Sequence, residues 1–329
     1  MASENLPDKT ADSPFPPALS GGKKTSAEKI PETYQAFLLN RSAHTAKVYH
    51  QAVSEFMSFI RENFSLSGLS DINRNHLIFY ASELEKKGLA HKTILKKLAG
   101  ISSFCRFMSH EGLIEKDISY GIRRPGSGNK RETADLSDEQ VKKIFSSLDP
   151  KRHSHYLHRA VLAVGFYTGL RSSEIRNLRV SSYGKIDGHT VLKTRIKGSK
   201  EHIVPLNPFV IGAIDDLIER KKSLGHSLSP ESFLFSSLKF KSDKALCPNS
   251  LKHIFDSALK NAGIKACSGV IRYSPHSMRA TLAGHLLNDQ ETPLEDVQKL
   301  LGHADPSTTQ KYNKRVKNMD KSPVYRIRY

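Results

Sequence analysis

The residues best suited to chemistry lie in the last quarter of the sequence. His276 and Arg279 are three residues apart, just after a serine-proline pair that predicts the start of a helix. A helix N-terminus offers free N–H groups and a positive dipole end, so a basic pair there can hold a phosphate. His303 follows a predicted helix end at Gly302, and Tyr312 comes nine residues later. These side chains predict a site for phosphoryl transfer.

Three short predicted helices must position these residues. Each begins with a capping residue followed by proline, whose missing N–H is not needed at the first helical position. Apolar residues at helical spacing give the middle helix one buried face. The three starts are Ser274-Pro275, Thr292-Pro293 and Asp305-Pro306, and the apolar residues are Leu294, Val297, Leu300 and Leu301.

A second group of candidates lies about 100 residues earlier in the chain. Arg171 follows a predicted apolar helix that ends at Gly169. Glu174 would lie one helical turn from Arg171, where its carboxylate could orient the guanidinium. Further on, glycine and serine between two β-like runs predict a hairpin, and its turn carries Lys197 and Lys200.

These groups resemble the catalytic boxes of the tyrosine recombinase (phage integrase) family. Residues 168–175 look like the first box. His276-x-x-Arg279, Leu301-Gly302-His303 and Tyr312 resemble the C-terminal boxes in order and spacing. The hairpin resembles the lysine box, whose lysine corresponds to Lys197, with Lys200 as the competitor. The resemblance implies a catalytic set of Arg171, Lys197, His276, Arg279, His303 and Tyr312, with Glu174 orienting Arg171.

The catalytic set contains no carboxylate that could hold a divalent ion, which indicates phosphoryl transfer without a metal. Two arginines can clamp the non-bridging oxygens and stabilise the transition state. The resemblance implies that Tyr312 attacks with His276 as base, His303 as hydrogen-bond donor and Lys197 as general acid. It also implies a 3′-phosphotyrosine, a free 5′-hydroxyl and a Holliday junction, with no cofactor and no ATP.

Composition supports a polyanionic partner. The 329 residues include 51 Lys and Arg against 33 Asp and Glu, a net charge of +18, which favours nucleic acid. Three scattered cysteines predict a reducing cytoplasm and argue against a disulfide framework. The longest apolar run, 160–170, is too short to span a membrane.

Periodicity and linker composition predict two domains, both mainly α. The first resembles the family's helical, SAM-like core-binding domain. The second is predicted as an α+β catalytic domain with a small antiparallel sheet. The predicted boundaries are a disordered tail at 1–30, the core-binding domain at 31–124, a linker at 125–132 and the catalytic domain at 133–329, whose C-terminal tail is 313–329.

Basic side chains on the third predicted helix, 91–110, and in or just before the linker are candidate DNA contacts. A solvated charged face is the usual interpretation of such a helix, but the high net charge favours contact with DNA. The partners expected are double-stranded DNA with paired inverted sites and further copies of the chain, as a dimer on a site and a tetramer in synapsis. A type IB topoisomerase and a non-catalytic DNA-binding regulator are the alternatives. The candidate contacts are Lys92, Lys96, Lys97, Arg106, Arg123, Arg124, Lys130 and Arg131.

Overall fold

The structure is a computed structural model that divides the chain into two compact units, Met1–Lys130 and Arg131–Tyr329. This division falls inside the predicted linker. The predicted tail at 1–30 lies outside the described residues, and so does the predicted C-terminal tail 313–329 apart from Asn313. The described residues are 32–122, 134–196, 200–240, 243–268 and 271–313.

The first unit is helical throughout its described part. Its helices start where polar side chains can cap them: Ser42 accepts the backbone N–H of Thr45, and Asn73 accepts that of Asn75. Apolar periodicity in the sequence predicts helices at 45–63, 73–87 and 91–110. All three are confirmed, and a shorter helix precedes them. The helices are α1 (Glu32–Leu39), α2 (Ala43–Asn63), α3 (Arg74–Lys86) and α4 (His91–His110), with a single 3₁₀ turn at Leu69–Asp71.

Helix α1, which the sequence did not predict, is attached to α4 by aromatic packing. Tyr34 is fully buried, and its ring meets Phe104 edge-on with a centroid distance of 4.9 Å. Phe107 lies on the same side at 5.3 Å from the Tyr34 ring. Because α1 is short, these tertiary contacts stabilise it more than its own propensity does.

The second unit combines helices with a small sheet, so the predicted fold class is confirmed. Ser137 and Gln140 form a capping box at the start of α5. The helices are α5 (Asp138–Ser146), α6 (His155–Thr168), α7 (Ser172–Asn177), α8 (Pro208–Ser223), α9 (Pro248–Asn261), α10 (Pro275–Gly284), α11 (Leu294–Leu301) and α12 (Pro306–Gln310), with a 3₁₀ turn at Val180–Ser182 and a π-turn at His285–Asp289.

Three helices were predicted to start at a capping residue followed by proline. In two of them, α10 and α12, proline is at the first helical position, as predicted. The start at Thr292-Pro293 was placed one residue too early. Pro293 has an extended ψ of 141° and is itself the N-cap, so α11 begins at Leu294.

The main sheet is antiparallel in the order β1-β2-β3. Strands β2 and β3 form the predicted hairpin, with Arg195 opposite Glu201. The turn residues 197–199, which include Lys197, lie outside the described residues. Strand β1 and the pair β4–β5 were not predicted. The strands are β1 (Tyr183–Ile186), β2 (His189–Arg195), β3 (Glu201–Pro205), β4 (Cys267–Ser268) and β5 (Ile271–Arg272).

Helix α6 is the centre of the second unit, packed against α8 and α10. A side chain at Gly165 would overlap the sulfur of Met278, so glycine allows α10 to approach closely. Gly169 ends α6 with a φ of +64°, and a Cβ there would lie 2.6 Å from Leu301 Cδ2. These contacts bring the ends of α6 and α11 together. None of the helices in the described ranges has the length and apolar character needed to cross a bilayer.

Candidate active site

Arg171 is the residue before α7, and Glu174 fixes its position. The Arg171 backbone N–H donates to Glu174 Oε2 at 2.7 Å, and its Nη1 donates to Oε1 at 2.8 Å. Glu174 is buried, whereas the Arg171 side chain remains 37% exposed. The structure therefore contains the expected pair, with the arginine still accessible. Its part in catalysis stays a prediction.

Arg279 lies on α10 and is only 2% exposed. Its Nη1 donates to the Gly169 carbonyl at 2.6 Å, and its Nη2 donates to the Leu301 carbonyl at 2.5 Å. Both carbonyls end helices, where the helix dipole attracts a cation. Burial and then Arg171 lower the pKa of Arg279 to about 10, so it stays charged near neutral pH. Among the described atoms, its Nε has no hydrogen-bond partner.

Tyr312 and His276 are hydrogen-bonded to each other. Tyr312 follows α12, and His276 lies in the first turn of α10; the distance from Tyr312 Oη to His276 Nε2 is 3.1 Å. Desolvation, then Arg279 and Arg171, lower the pKa of His276. Desolvation raises the pKa of Tyr312, although both arginines act to lower it. A protonated phenol beside a neutral imidazole is therefore the form near neutral pH.

His303 follows Gly302, which ends α11 with a φ of +61°. The imidazole is buried, and its Nδ1 lies 2.8 Å from the hydroxyl of Thr309, which is itself fully buried. The His303 ring is nearly parallel to that of Tyr312, with a centroid distance of 6.3 Å. Desolvation, then Arg279 and Arg171, lower the pKa of His303 to about 4. Sequence analysis missed Thr309, because no pattern separates it from the neighbouring threonine.

The β2–β3 hairpin contacts the same region. His202 on β3 lies with Nε2 3.0 Å from the Leu300 carbonyl. A Cβ added to Gly302 would lie 3.3 Å from Ile196 Cδ1. Strand residues next to the hairpin turn thus pack on the end of α11 that leads to His303. Lys200 is described and exposed, whereas Lys197 is outside the described residues, so the choice between them stays a prediction.

The candidate DNA contacts on α4 divide into two kinds. Lys92, Lys96 and Arg106 are exposed. Lys97 forms an ion pair with Glu55 of α2, and its side chain is only 18% exposed. Lys97 is therefore paired with an acid from another helix, which the sequence pattern does not indicate, and its contact with DNA stays a prediction. The linker candidates Arg123, Arg124, Lys130 and Arg131 lie outside the described residues.

The different surroundings of Lys96, which is exposed, and Lys97, which is ion-paired, lead to a prediction about DNA binding. Replacing Lys96 with alanine should weaken binding and reduce the magnitude of the log–log salt slope by about 1, the value for one lost phosphate contact. Replacing Lys97 should leave the slope unchanged, because Glu55 already neutralises its charge. Affinity measured by fluorescence anisotropy at several salt concentrations checks both variants. An equal loss of slope in the two variants would contradict the assignment.

In the second unit, two arginines and two histidines lie around Tyr312 and form one cationic site, built on a helical scaffold with a small sheet. Such a site defines a class of proteins that transfer phosphoryl groups through tyrosine. The chain belongs to the phage integrase family, the tyrosine recombinases. The family model matches residues 134–319, and the model of the phage integrase N-terminal SAM-like domain matches residues 32–112.

Two curated relatives illustrate the similarity. The chain is 29% identical over 277 residues to tyrosine recombinase XerC of Bacillus pumilus (strain SAFR-032), covering 83% of this chain and 86% of that protein. It is 27% identical over 272 residues to tyrosine recombinase XerD of Listeria innocua serovar 6a (strain ATCC BAA-680 / CLIP 11262), covering 82% and 88%.

Two solved structures share the fold. The XerH site-specific recombinase, in a post-cleavage complex with palindromic difH substrate, aligns with a TM-score of 0.69 at 19% identity, covering 90% of this chain and 84% of that one. A lambda integrase dimer bound to a COC′ core site aligns with a TM-score of 0.66 at 18% identity, covering 88% and 96%.

Proposed function

We propose that this tyrosine recombinase cleaves and rejoins DNA at specific sites through a 3′-phosphotyrosine and a Holliday junction. The observation that carries the proposal is the 3.1 Å contact between Tyr312 Oη and His276 Nε2. That contact lies beside the cations Arg171 and Arg279, whose charges act on the pKa of both partners. Family membership and the net charge of +18 support a DNA substrate.

In the proposed cleavage step, Tyr312 Oη gives its proton to His276 Nε2 and attacks the scissile phosphorus. The bond from phosphorus to the 5′-oxygen breaks, and Lys197 protonates that oxygen as it leaves. The positive charges of Arg171 and Arg279 stabilise the additional negative charge of the transition state. Because the phosphotyrosine preserves a phosphodiester, a 5′-hydroxyl can reverse the step without ATP.

His303 serves as a neutral hydrogen-bond donor in this proposal. With the pKa of His303 lowered to about 4, the ring carries one proton near neutral pH. His303 Nδ1 lies 2.8 Å from the Thr309 hydroxyl, and in this proposal the hydroxyl donates to Nδ1 while the ring proton is on Nε2. Nε2 can then donate to a non-bridging phosphate oxygen. Thr309 would thereby fix the tautomer that the reaction needs.

The proposed assembly is a dimer on each DNA site, with inverted binding sequences, and a tetramer when two sites are joined. A structure of a lambda integrase tetramer bound to a Holliday junction supports it through the shared fold, with a TM-score of 0.65 at 18% identity. We infer that the protein acts in the cytoplasm, because its proposed substrate, the DNA, lies there.

A nicked suicide duplex from the DNA flanking the gene tests the proposal. Cleavage next to the nick releases a short fragment, so the phosphotyrosine cannot be reversed and a covalent adduct accumulates. The full-length protein should form this adduct and exchange strands between two intact sites. Relaxation of supercoiled DNA at no defined site would favour a topoisomerase instead. DNA binding without any adduct would favour a regulator.

The pH dependence of cleavage should follow His276. The pKa of His276 is lowered from the ordinary 6.5, so the ring is still neutral at pH 6.5. The cleavage rate should therefore stay constant down to pH 6.5 and fall only at lower pH. If the phenolate formed before the attack, the cleavage rate would instead rise about tenfold per pH unit, because the pKa of Tyr312 is raised and the phenolate is scarce near neutral pH. Single-turnover rates at saturating DNA distinguish these profiles.

The two hairpin lysines can be separated with a modified substrate. Sulfur at the bridging 5′-position leaves as a thiolate and needs little help from an acid. Lys197→Ala should therefore cleave the sulfur substrate far faster than the normal one, by about 100-fold or more. Lys200→Ala is the matched control and should treat both substrates as the wild type does. Rescue of Lys200→Ala alone would reverse the assignment.

A further inference from the structure

Helix α10 continues into the π-turn at His285–Asp289, and the proposed chemistry uses none of these residues. The backbone N–H of Gln290 donates to the His285 carbonyl at 3.0 Å, a bond that spans five residues. Turns of this kind are rare and often occur at functional sites. The extra residue changes the side of the helix on which the following side chains lie. Asn288 lies in this turn.

Asn288 binds the nucleophile's backbone. Its Nδ2 donates to the Tyr312 carbonyl at 3.1 Å. The Tyr312 N–H donates to the Thr309 carbonyl at 3.0 Å. The peptide groups on both sides of the Tyr312 Cα are therefore held, one by the π-turn and one by α12. The phenol Oη lies 3.1 Å from His276 Nε2.

The π-turn is anchored mainly by apolar packing. His285 Nδ1 lies 3.3 Å from Asp138 Oδ1 of α5 and 3.2 Å from Asp289 Oδ2, but neither contact has hydrogen-bond geometry among the described atoms. Leu287 is 3% exposed and belongs to a small apolar cluster with Val297, and the ring of Tyr312 packs against that cluster. A side chain held by such a turn can position the group that it binds.

We propose that Asn288 is a positioning residue for the nucleophile. Its bond to the Tyr312 carbonyl keeps the backbone at the place from which the phenol reaches His276 and the phosphate. The inference rests on the proposed function, in which Tyr312 attacks. Without the bond, Tyr312 gains backbone freedom while its own acidity and the cationic side chains stay as they are. Small displacements of a reacting group lower rates strongly.

The test compares Asn288→Ala with Asn249→Ala, a control that makes the same change at an exposed position on α9. Full-length protein is labelled with 3-fluorotyrosine for ¹⁹F NMR, and the signal missing from Tyr312→Phe identifies Tyr312 among the 11 tyrosines. In Asn288→Ala that signal should move and narrow, while the other tyrosine signals stay in place. Asn249→Ala should change none of them.

The second measurement is single-turnover adduct formation at saturating DNA. Asn288→Ala should slow it about tenfold or more, with DNA affinity unchanged. An unmoved Tyr312 signal or a wild-type rate would overturn the inference. Movement of many tyrosine signals would also overturn it, because that result indicates a general structural role. If the wild type forms no adduct, the proposed function fails, and the NMR comparison alone decides whether Asn288 holds Tyr312.

Discussion

Replacing Tyr312 with phenylalanine is expected to abolish the covalent protein–DNA adduct while DNA affinity stays at the wild-type level. The substitution removes one oxygen, and its only described side-chain hydrogen bond is the one to His276. The ring remains to pack against the small apolar cluster around Leu301, so the fold should be retained. Loss of a nucleophile lowers rates on the order of a thousandfold or more, which in this assay means no detectable adduct.

The measurement is the yield of adduct on a denaturing gel, with the nicked suicide duplex as substrate. Tyr273→Phe is the matched control, because Tyr273 is also partly buried and packs against the core of the second unit. It should form adduct at the wild-type rate. An adduct of undiminished yield from Tyr312→Phe would remove Tyr312 as the nucleophile. The search would then turn to Tyr325 and Tyr329, which lie outside the described residues.

Local signals predicted the elements that carry the site. Proline at a helix start, a capping box and glycine at a helix end act over a few residues, so α5, α6 and α10 could be identified from the sequence. The pair of Arg171 and Glu174 was predictable for the same reason, since both partners lie within one helical turn.

Contacts between distant segments could not be predicted. Arg279 binds carbonyls 110 residues before it and 22 residues after it, and no periodicity indicates backbone partners. The ion pair of Lys97 was not predicted, because its acid, Glu55, is 42 residues away. Strand β1 escaped prediction because it is four residues long and depends on pairing with β2. Such features depend on the assembled fold rather than on local preference.

The second large effect is expected at Arg279. Its two Nη atoms join the Gly169 carbonyl at the end of α6 to the Leu301 carbonyl at the end of α11. The same guanidinium therefore connects the segment before Arg171 with the segment before His303. A lysine has one compact ammonium group and cannot reproduce a fork that reaches two separate carbonyls. Arg279→Lys should leave at least one buried carbonyl without a partner.

We expect Arg279→Lys to lower the free energy of unfolding by about 1–3 kcal/mol, the usual effect of one unsatisfied buried polar group. Cleavage should slow on the order of 100- to 1000-fold, as when a transition-state donor is removed, because the ammonium of a lysine would not lie where the guanidinium places its charge. Denaturant unfolding measures the first quantity, and single-turnover adduct formation at saturating DNA measures the second.

Arg176→Lys separates the two effects. Arg176 also donates through Nη1 to a carbonyl, that of Leu246 at 3.1 Å, and it is partly buried. It has no place in the proposed chemistry, so its replacement should reduce stability without slowing cleavage. If both variants lose similar stability and cleave at similar rates, Arg279 serves only to hold the fold. If the two variants lose similar stability but only Arg279→Lys cleaves slowly, Arg279 contributes to the reaction as well as to the fold. The relevant difference between the two sites is then the position of the charge relative to the phosphate.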